Sequence, residues 1–322
     1  MKTLTTTSIA TGLIAGVTAA LLSLSATAQS FFSVVLYAAS ALPILIAGLR
    51  WGNASAMIAV IVGGVLASAL ISPYFALLFV IFTLVPAGWL SNLANLARPA
   101  SELGGPSDAL AWYPLSSILA HLSAIVVLGM IVVGRFDYIP TGEIIDVFVQ
   151  AMKAKEPLFN PDDATIAQMK SVLAFMFPLT EAALRVLMLF AAYYIASLIV
   201  RMSGKGLRPR EDMPSTLRMH RNAIFVFLAG LLISFMGGMM AFIGAIVCGA
   251  FGAGFVLAGF ASLHFKTRGK PWRLFALWFT YFSVLVFAVI PILATLILGL
   301  TDTRRTIALT PTGPADNKNQ NI

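Results

Sequence analysis

The sequence predicts an all-α polytopic transmembrane bundle of eight or nine spans. Three observations predict it. The 322 residues are 59% hydrophobic and 11% charged, with a mean hydropathy of +0.91, whereas a soluble domain is about one-quarter charged. The charges fall in short segments between apolar runs long enough to cross a bilayer. The stretch from Glu181 to Val200 is almost wholly apolar, and the next 21 residues carry Arg201, Lys205, Arg208, Arg210, Arg218 and Arg221 against Glu211 and Asp212. An apolar run that turns abruptly basic marks a span reaching the cytoplasm.

The first apolar run begins after Met1-Lys2 and ends at Ala26-Thr27-Ala28-Gln29. That end resembles a signal-peptide cleavage site. The run 8–28 is also long enough to span a bilayer, longer than a usual signal core. Gly12, Gly16 and Ala20 line it with small residues suited to helix packing. An uncleaved span is the preferred reading. The second span covers 32–49 and ends at the turn Arg50-Trp51-Gly52-Asn53. The third, 54–71, repeats small residues at Ala59, Gly63 and Ala67. The fourth, 75–93, contains Pro86. A polar loop with Arg98 and Pro99 follows, and Trp112-Tyr113-Pro114 opens a fifth span over 113–134 with an aromatic interface anchor.

Residues 135–170 form the longest polar segment, with six acids and four bases. Within it Ile145, Phe148, Val149 and Met152 share one helical face. They predict a short amphipathic helix on the membrane or the bundle, or a solvated connector with one packed face. Asp162-Asp163 is a helix-start signal. The sixth span is 181–200, the seventh 222–236, the eighth, glycine-rich, 239–263, and the ninth 274–300. Residues 301–322 read as a disordered polar tail. Residues 1–300 are thus one integral membrane domain.

With nine spans and a cytoplasmic N-terminus, thirteen basic residues lie inside and seven outside, Arg185 being set aside. This agrees with the positive-inside rule. It leaves Arg304 and Arg305 outside, so eight spans with the tail inside is the alternative. The chain is expected in a bacterial-type cytoplasmic membrane.

The net charge is +8, but its basic residues sit in loops beside apolar runs. Anionic headgroups explain them, and nucleic acid is not expected as a partner. The single Cys248 excludes an intrachain disulfide and a cysteine-based metal site. No metal or other cofactor is expected. No HExxH, nucleophile elbow with partners, or phosphate-binding glycine loop occurs, so an enzyme is not expected. Ionisable groups inside spans are costly and default to functional candidates. Glu181 and Arg185, spaced i,i+4, meet on one helix face. They form either a site for a polar solute reached from outside or a self-neutralising pair near the interface, with Arg185 snorkelling. His121, two turns into its span, is either a ligand or a residue hydrogen-bonded to a neighbour. Arg201, Lys205, Arg208, Arg210, Arg218 and Arg221 are candidates for contact with lipid or a cytoplasmic partner.

Several motifs, taken in order, resemble one family. They are the run Ala41 to Gly52 with its Pro43, Ala111 to Leu115, Arg201 to Pro209, Leu257 to His264, and Gly299 to Arg305. Together they are similar to the YybS-like family of membrane proteins, a domain of unknown function, over nearly the whole chain. Where that family usually has an aromatic residue after the final aspartate, this chain has Thr303-Arg304. The family is distantly similar to the substrate-binding S components of energy-coupling-factor transporters and to the rod-shape protein MreD. The resemblance implies either a solute-binding or transport component without its own motor, or a non-enzymatic scaffold in envelope biogenesis. In the first case the segment 135–170 would be an outward-facing lid.

Overall fold

The computed structural model describes residues 5–28, 30–135, 141–155, 162–204, 206–303 and 307–311. It is helical almost throughout. Seven helices among the described residues are long and apolar enough to cross a membrane: Thr6–Thr27, Phe32–Trp51, Asn53–Leu70, Pro73–Ala94, Leu115–Gly134, Asp163–Met202 and Gly238–Lys266. In lipid, such helices associate by van der Waals packing and close backbone approach rather than by escape from water.

The first four of these form the N-terminal half. Helix α1 (Thr6–Ser23) is closed at its start by a capping box between Thr5 and Ser8. The second crossing is made of α2 (Phe31–Ala39) and α3 (Leu42–Trp51), and α4 (Asn53–Leu70) follows Gly52. The small-residue stripe of α1 packs where the sequence implied. A Cβ on Gly12 or Gly16 would stand 2.7 Å from the Ser55 or Ala59 carbonyl oxygen respectively. These contacts advance together along both helices, so α1 and α4 run parallel. Helix α5 (Pro73–Phe79) passes through a π turn, Val80–Leu84, into α6 (Val85–Ala94). The Val85 N–H bonds the Val80 carbonyl five residues back. Pro86 lacks the N–H that would serve the Phe82 carbonyl, and the wide turn relieves its ring from that carbonyl.

Two short strands, β1 (Ala97–Pro99) and β2 (Ala109–Trp112), lead to α7 (Leu115–Arg135). Helix α8 (Thr141–Lys155) lies against the start of α9 (Asp163–Met202). The Asp162 carboxylate caps α9 by accepting from the Thr165 N–H. Of the amphipathic face read from the sequence, Val149 is buried, Phe148 meets Phe177 edge-on with ring centroids 6.5 Å apart, and the Ile145 side chain lies outside the described residues. At 40 residues, α9 is about 60 Å long, twice the apolar thickness of a bilayer.

The basic loop contains the single turn α10 (Met213–Thr216). It leads to α11 (Ala223–Ile233) and α12 (Gly238–Lys266). The expected seventh span is shorter than the seven long helices. With its terminal 3₁₀ turn it ends at Met236, where Gly237 and Gly238 take φ of 76° and 52° and reverse the chain. The expected ninth span, 274–300, is two helices, α13 (Arg273–Phe287) and α14 (Val289–Thr301). They meet at Ala288, whose φ is 43°. Pro291 supplies the reason. It has no N–H for the Phe287 carbonyl and its ring would collide with that carbonyl in a continuous helix. Tyr281 of α13 stacks on Phe260 at 5.4 Å, and Thr295 of α14 touches Gly259. Both limbs therefore stand beside the same stretch of α12. The pair is a hairpin whose tip reaches about the middle of α12.

The tail also departs from expectation. Residues 309–311 form β3 (Leu309–Pro311), which pairs antiparallel with β2 in the sheet order β1-β2-β3. Ile307 packs on the buried Ala100, Ala109 and Ala111, and Trp112 Nε1 donates to Thr310 Oγ1 at 2.9 Å. The apolar Ile307-Ala308-Leu309 within the polar tail is what makes a strand favourable here. Residues 304–306 and 312–322 of the expected disordered tail lie outside the described residues.

One face of the bundle collects the basic loops. Asn95 Nδ2 donates to the Gly48 carbonyl at 2.8 Å, joining the ends of α3 and α6. Arg208 Nη1 donates to the Ala94 carbonyl at 3.3 Å, and Arg268 Nη2 lies 2.5 Å from Asp212 Oδ1. The loops after α3, α6, α9 and α12, and the chain after α14, thus share this basic face. Helix α8 and the start of α9 lie at the other, far face.

Candidate ligand site and the charged face

Arg185 lies on α9 about 25 Å along the helix from its end on the basic face, so it belongs to the far half of the bundle. Its Nη2 is 2.5 Å from Glu181 Oε1. The guanidinium carbon stands 3.7 Å from the centre of the Phe82 ring, a close cation–π contact. Phe82 is in the π turn, and the neighbouring Thr83 hydroxyl is 3.5 Å from the Tyr37 hydroxyl. Arg185 Nε is buried without a hydrogen-bond partner among the described residues. A cavity of about 30 Å³ lies between Tyr37, Phe82, Thr83 and Arg185, room for water-sized occupants only. Glu181 is 45% exposed and Arg185 23%, so the pair is not shielded on its far side. The sequence exposes the i,i+4 pair but not its aromatic floor. Pro86, four residues after Phe82, is the signal for the wide turn that contains Phe82.

His121 does not join this pair. It is two turns into α7, which rises from the basic face, while Glu181 is about 30 Å above the end of α9. The two groups are thus near opposite ends of the bundle. His121 Nδ1 is 2.8 Å from the Ser117 carbonyl oxygen, and its ring meets Tyr113 edge-on. These are the neighbour contacts that the sequence offered as the alternative to a ligand role.

The basic loop divides in two. Arg201, Arg210 and Arg221 are exposed, as expected of residues that meet lipid or a partner. Lys205 lies outside the described residues. Arg208 and Arg218 turn inward, which corrects the expectation that they are contact residues. Arg208 Nε donates to Glu211 Oε1 at 2.5 Å, and the two side chains are 13% and 7% exposed. They wall a cavity of about 170 Å³ with Tyr193, Ser197, Arg201 and Arg210. Arg218 is fully buried. Its Nε is 3.0 Å from Asp302 Oδ2, its Nη1 donates to the Pro214 and Leu217 carbonyls, and Ser262 Oγ donates to Asp302 at 2.6 Å. The physical reason is desolvation: a buried guanidinium needs a carboxylate and acceptors for its remaining N–H groups. Asp302 is the acid that sequence reading missed. It is the only acid between Asp212 and Asp316, placed immediately after an apolar run.

The exposed pair on this face gives a pH prediction. The Arg268 guanidinium beside Asp212 holds its carboxyl below the usual carboxylate range. A depressed carboxyl contributes stability that is present above its unfolded value and lost as pH falls through its folded value. Both partners are more than 40% exposed, so water and salt screen the pair and its contribution is small. Asp212→Asn lowers the melting temperature slightly at neutral pH. The difference from the native chain shrinks below about pH 4, where the native carboxyl is also neutralised. Paired melting curves at the two pH values check this, and a difference that grows in acid would contradict it.

No protein-family model, no curated protein and no solved structure matches this chain.

Proposed function

We propose that this chain is a non-enzymatic inner-membrane protein that binds a small solute through an anionic group, in the manner of a transport component that lacks its own motor. The observation that carries the reading is Arg185. An arginine held in the apolar half of a bundle, stacked on Phe82 beside a π turn and with Nε lacking an acceptor, is an expensive arrangement. A carboxylate or phosphate would satisfy that guanidinium by charge-assisted hydrogen bonds. Glu181, half-exposed, occupies the position in the free state and swings outward when an anion replaces it. The 30 Å³ cavity requires the bundle to open first, and α8, packed over the start of α9, is the lid.

In this reading the basic face is cytoplasmic by the positive-inside rule. The start of α1 and the Asp302 end both lie there. Counting the shorter α11 with the seven long helices gives eight crossings, and α13–α14 is a re-entrant hairpin. This is the eight-span alternative rather than the nine-span count.

The test is thermal stability of the purified full chain against a panel of amphipathic carboxylates and phosphates. A ligand at one hundred times its Kd stabilises by about 2.7 kcal/mol. The expected result is a shift with at least one anionic compound that Arg185→Gln abolishes while the unliganded melting point changes little. A shift that persists in Arg185→Gln, or arises equally with neutral analogues, sinks the proposal.

A second reading, a scaffold in envelope biogenesis, is favoured by one observation. Arg201, Arg210 and Arg221 are exposed on a loop fixed by two buried ion pairs. Reversing all three charges would then abolish co-purification of a cytoplasmic partner without lowering the melting point. Unchanged cell morphology after deletion of the chain would count against it.

A further inference from the structure

Helices α13, α14 and the end of α12 enclose a groove of about 450 Å³ that the Arg185 reading does not use. It is lined by Leu263, Thr280, Ser283, Phe287, Pro291 and Leu298 among others, and its walls are mostly apolar. The volume is within the roughly 300–1,000 Å³ of small-molecule sites. The groove lies in the half of the bundle nearest the basic face, because the hairpin that forms it rises from that face and turns at Ala288.

The charge at its foot is one-sided. Residues 264–301 carry Lys266, Arg268, Lys270 and Arg273 and no acid. Arg268 is engaged by Asp212, which leaves three cations between the end of α12 and the start of α13, at the foot of the hairpin. Arg273 is the first residue of α13. Thr280, Ser283 and Phe287 follow it at intervals of seven, ten and fourteen residues, so they share its helical stripe. The groove wall therefore runs down α13 to a guanidinium. From Arg273 to Phe279, where the lining begins, the helix rises about 9 Å, the span between a lipid phosphate and the start of its acyl chains.

We propose that this groove is a binding site for one anionic phospholipid of the leaflet on the basic face. An acyl chain lies between α13 and α14, and the phosphate is held by Arg273 with Lys270 and Lys266. An apolar slot alone would accept any hydrocarbon. The cations at the foot of the same stripe select a negatively charged headgroup. The site does not depend on Arg185, so either proposal can fail without the other.

The experiment reconstitutes the full chain in vesicles containing a trace of phosphatidylglycerol with a photoactivatable acyl chain, or the phosphatidylcholine analogue. Cross-linked residues are then mapped by mass spectrometry. The expected result is labelling concentrated between residues 279 and 298 and stronger with phosphatidylglycerol. Arg273→Gln and Lys270→Gln each lower it about fivefold, the worth of one basic residue at an anionic surface. Ser283→Phe, which fills the slot, removes it. If Ser283→Phe does not fold, the two charge variants still decide the matter. Equal labelling by both lipids, labelling spread over all lipid-facing helices, or cross-links to a second copy of the chain at these residues would each overturn the proposal.

Discussion

Asp302→Ala destabilises the purified protein by about 3–5 kcal/mol, the cost of stranding one member of a buried ion pair. The mutation leaves the Arg218 guanidinium fully buried without the carboxylate 3.0 Å from its Nε. The Pro214 and Leu217 carbonyls remain, but neither carries a charge. Arg218→Met is also harmful, because it strands the Asp302 carboxylate, 6% exposed, with the bond from Ser262 in place of a cation. The double change Arg218→Met with Asp302→Leu costs less than either single change, since an apolar pair of similar volume replaces a desolvated one and no buried charge is left over. Chemical or thermal denaturation of the three variants in one detergent measures this. If Asp302→Ala costs less than about 1 kcal/mol, the range of an exposed pair, the latch does not hold the end of α14.

Gly259→Ala and Gly299→Ala each separate α14 from α12. A Cβ on Gly259 would stand 1.8 Å from the Thr295 carbonyl oxygen, and one on Gly299 would stand 1.9 Å from that of Phe255. Both obstacles are backbone, which cannot rotate away as a side chain can. Each change costs at least the roughly 1–3 kcal/mol of an overpacked core. The two residues also touch one another, the position of a Cβ on Gly299 being 3.1 Å from the Gly259 nitrogen. Once one methyl has parted the helices, the second meets open space. The double variant therefore costs little more than the worse single one. Strict additivity, or single changes that leave the melting curve alone, would contradict the close crossing.

Much of this arrangement is legible in the residues themselves. Runs of 18 or more apolar residues bounded by charge or turn residues fix the long helices, and the Gly12 and Gly16 stripe fixes which face of α1 meets α4. The helix start at Asp162-Asp163 and the packed face of α8 follow from local chemistry. What was not legible depends on pairings distant in sequence. The segment 274–300 reads as one apolar run because hydropathy is blind to direction. Pro291 marks the break, yet a proline inside a span is tolerated where neighbours satisfy the freed carbonyl. Arg218 reads as a loop cation because its carboxylate is 84 residues away in a segment that looks disordered. For the proposed ligand site, Glu181 and Arg185 stand out by spacing alone. Their floor, Phe82, comes from another helix, and no local pattern links them. His121 attracts notice as an ionisable group inside a span, and that alone does not bring it beside another group on a different helix.

The three-stranded sheet sets a schedule for the chain's birth. Trp112 and Thr310 are 198 residues apart. At about 5–20 residues per second, the ribosome supplies the outer strand roughly ten to forty seconds after the first two. During that interval β2 has a bare edge beside the membrane, and Arg218 waits for a carboxylate still unmade. Both gaps close together, since Asp302 and β3 arrive within ten residues of each other. A nascent chain stalled before residue 300 would thus carry an open strand edge and a stranded cation at the same surface. Those two features distinguish an unfinished copy from a finished one.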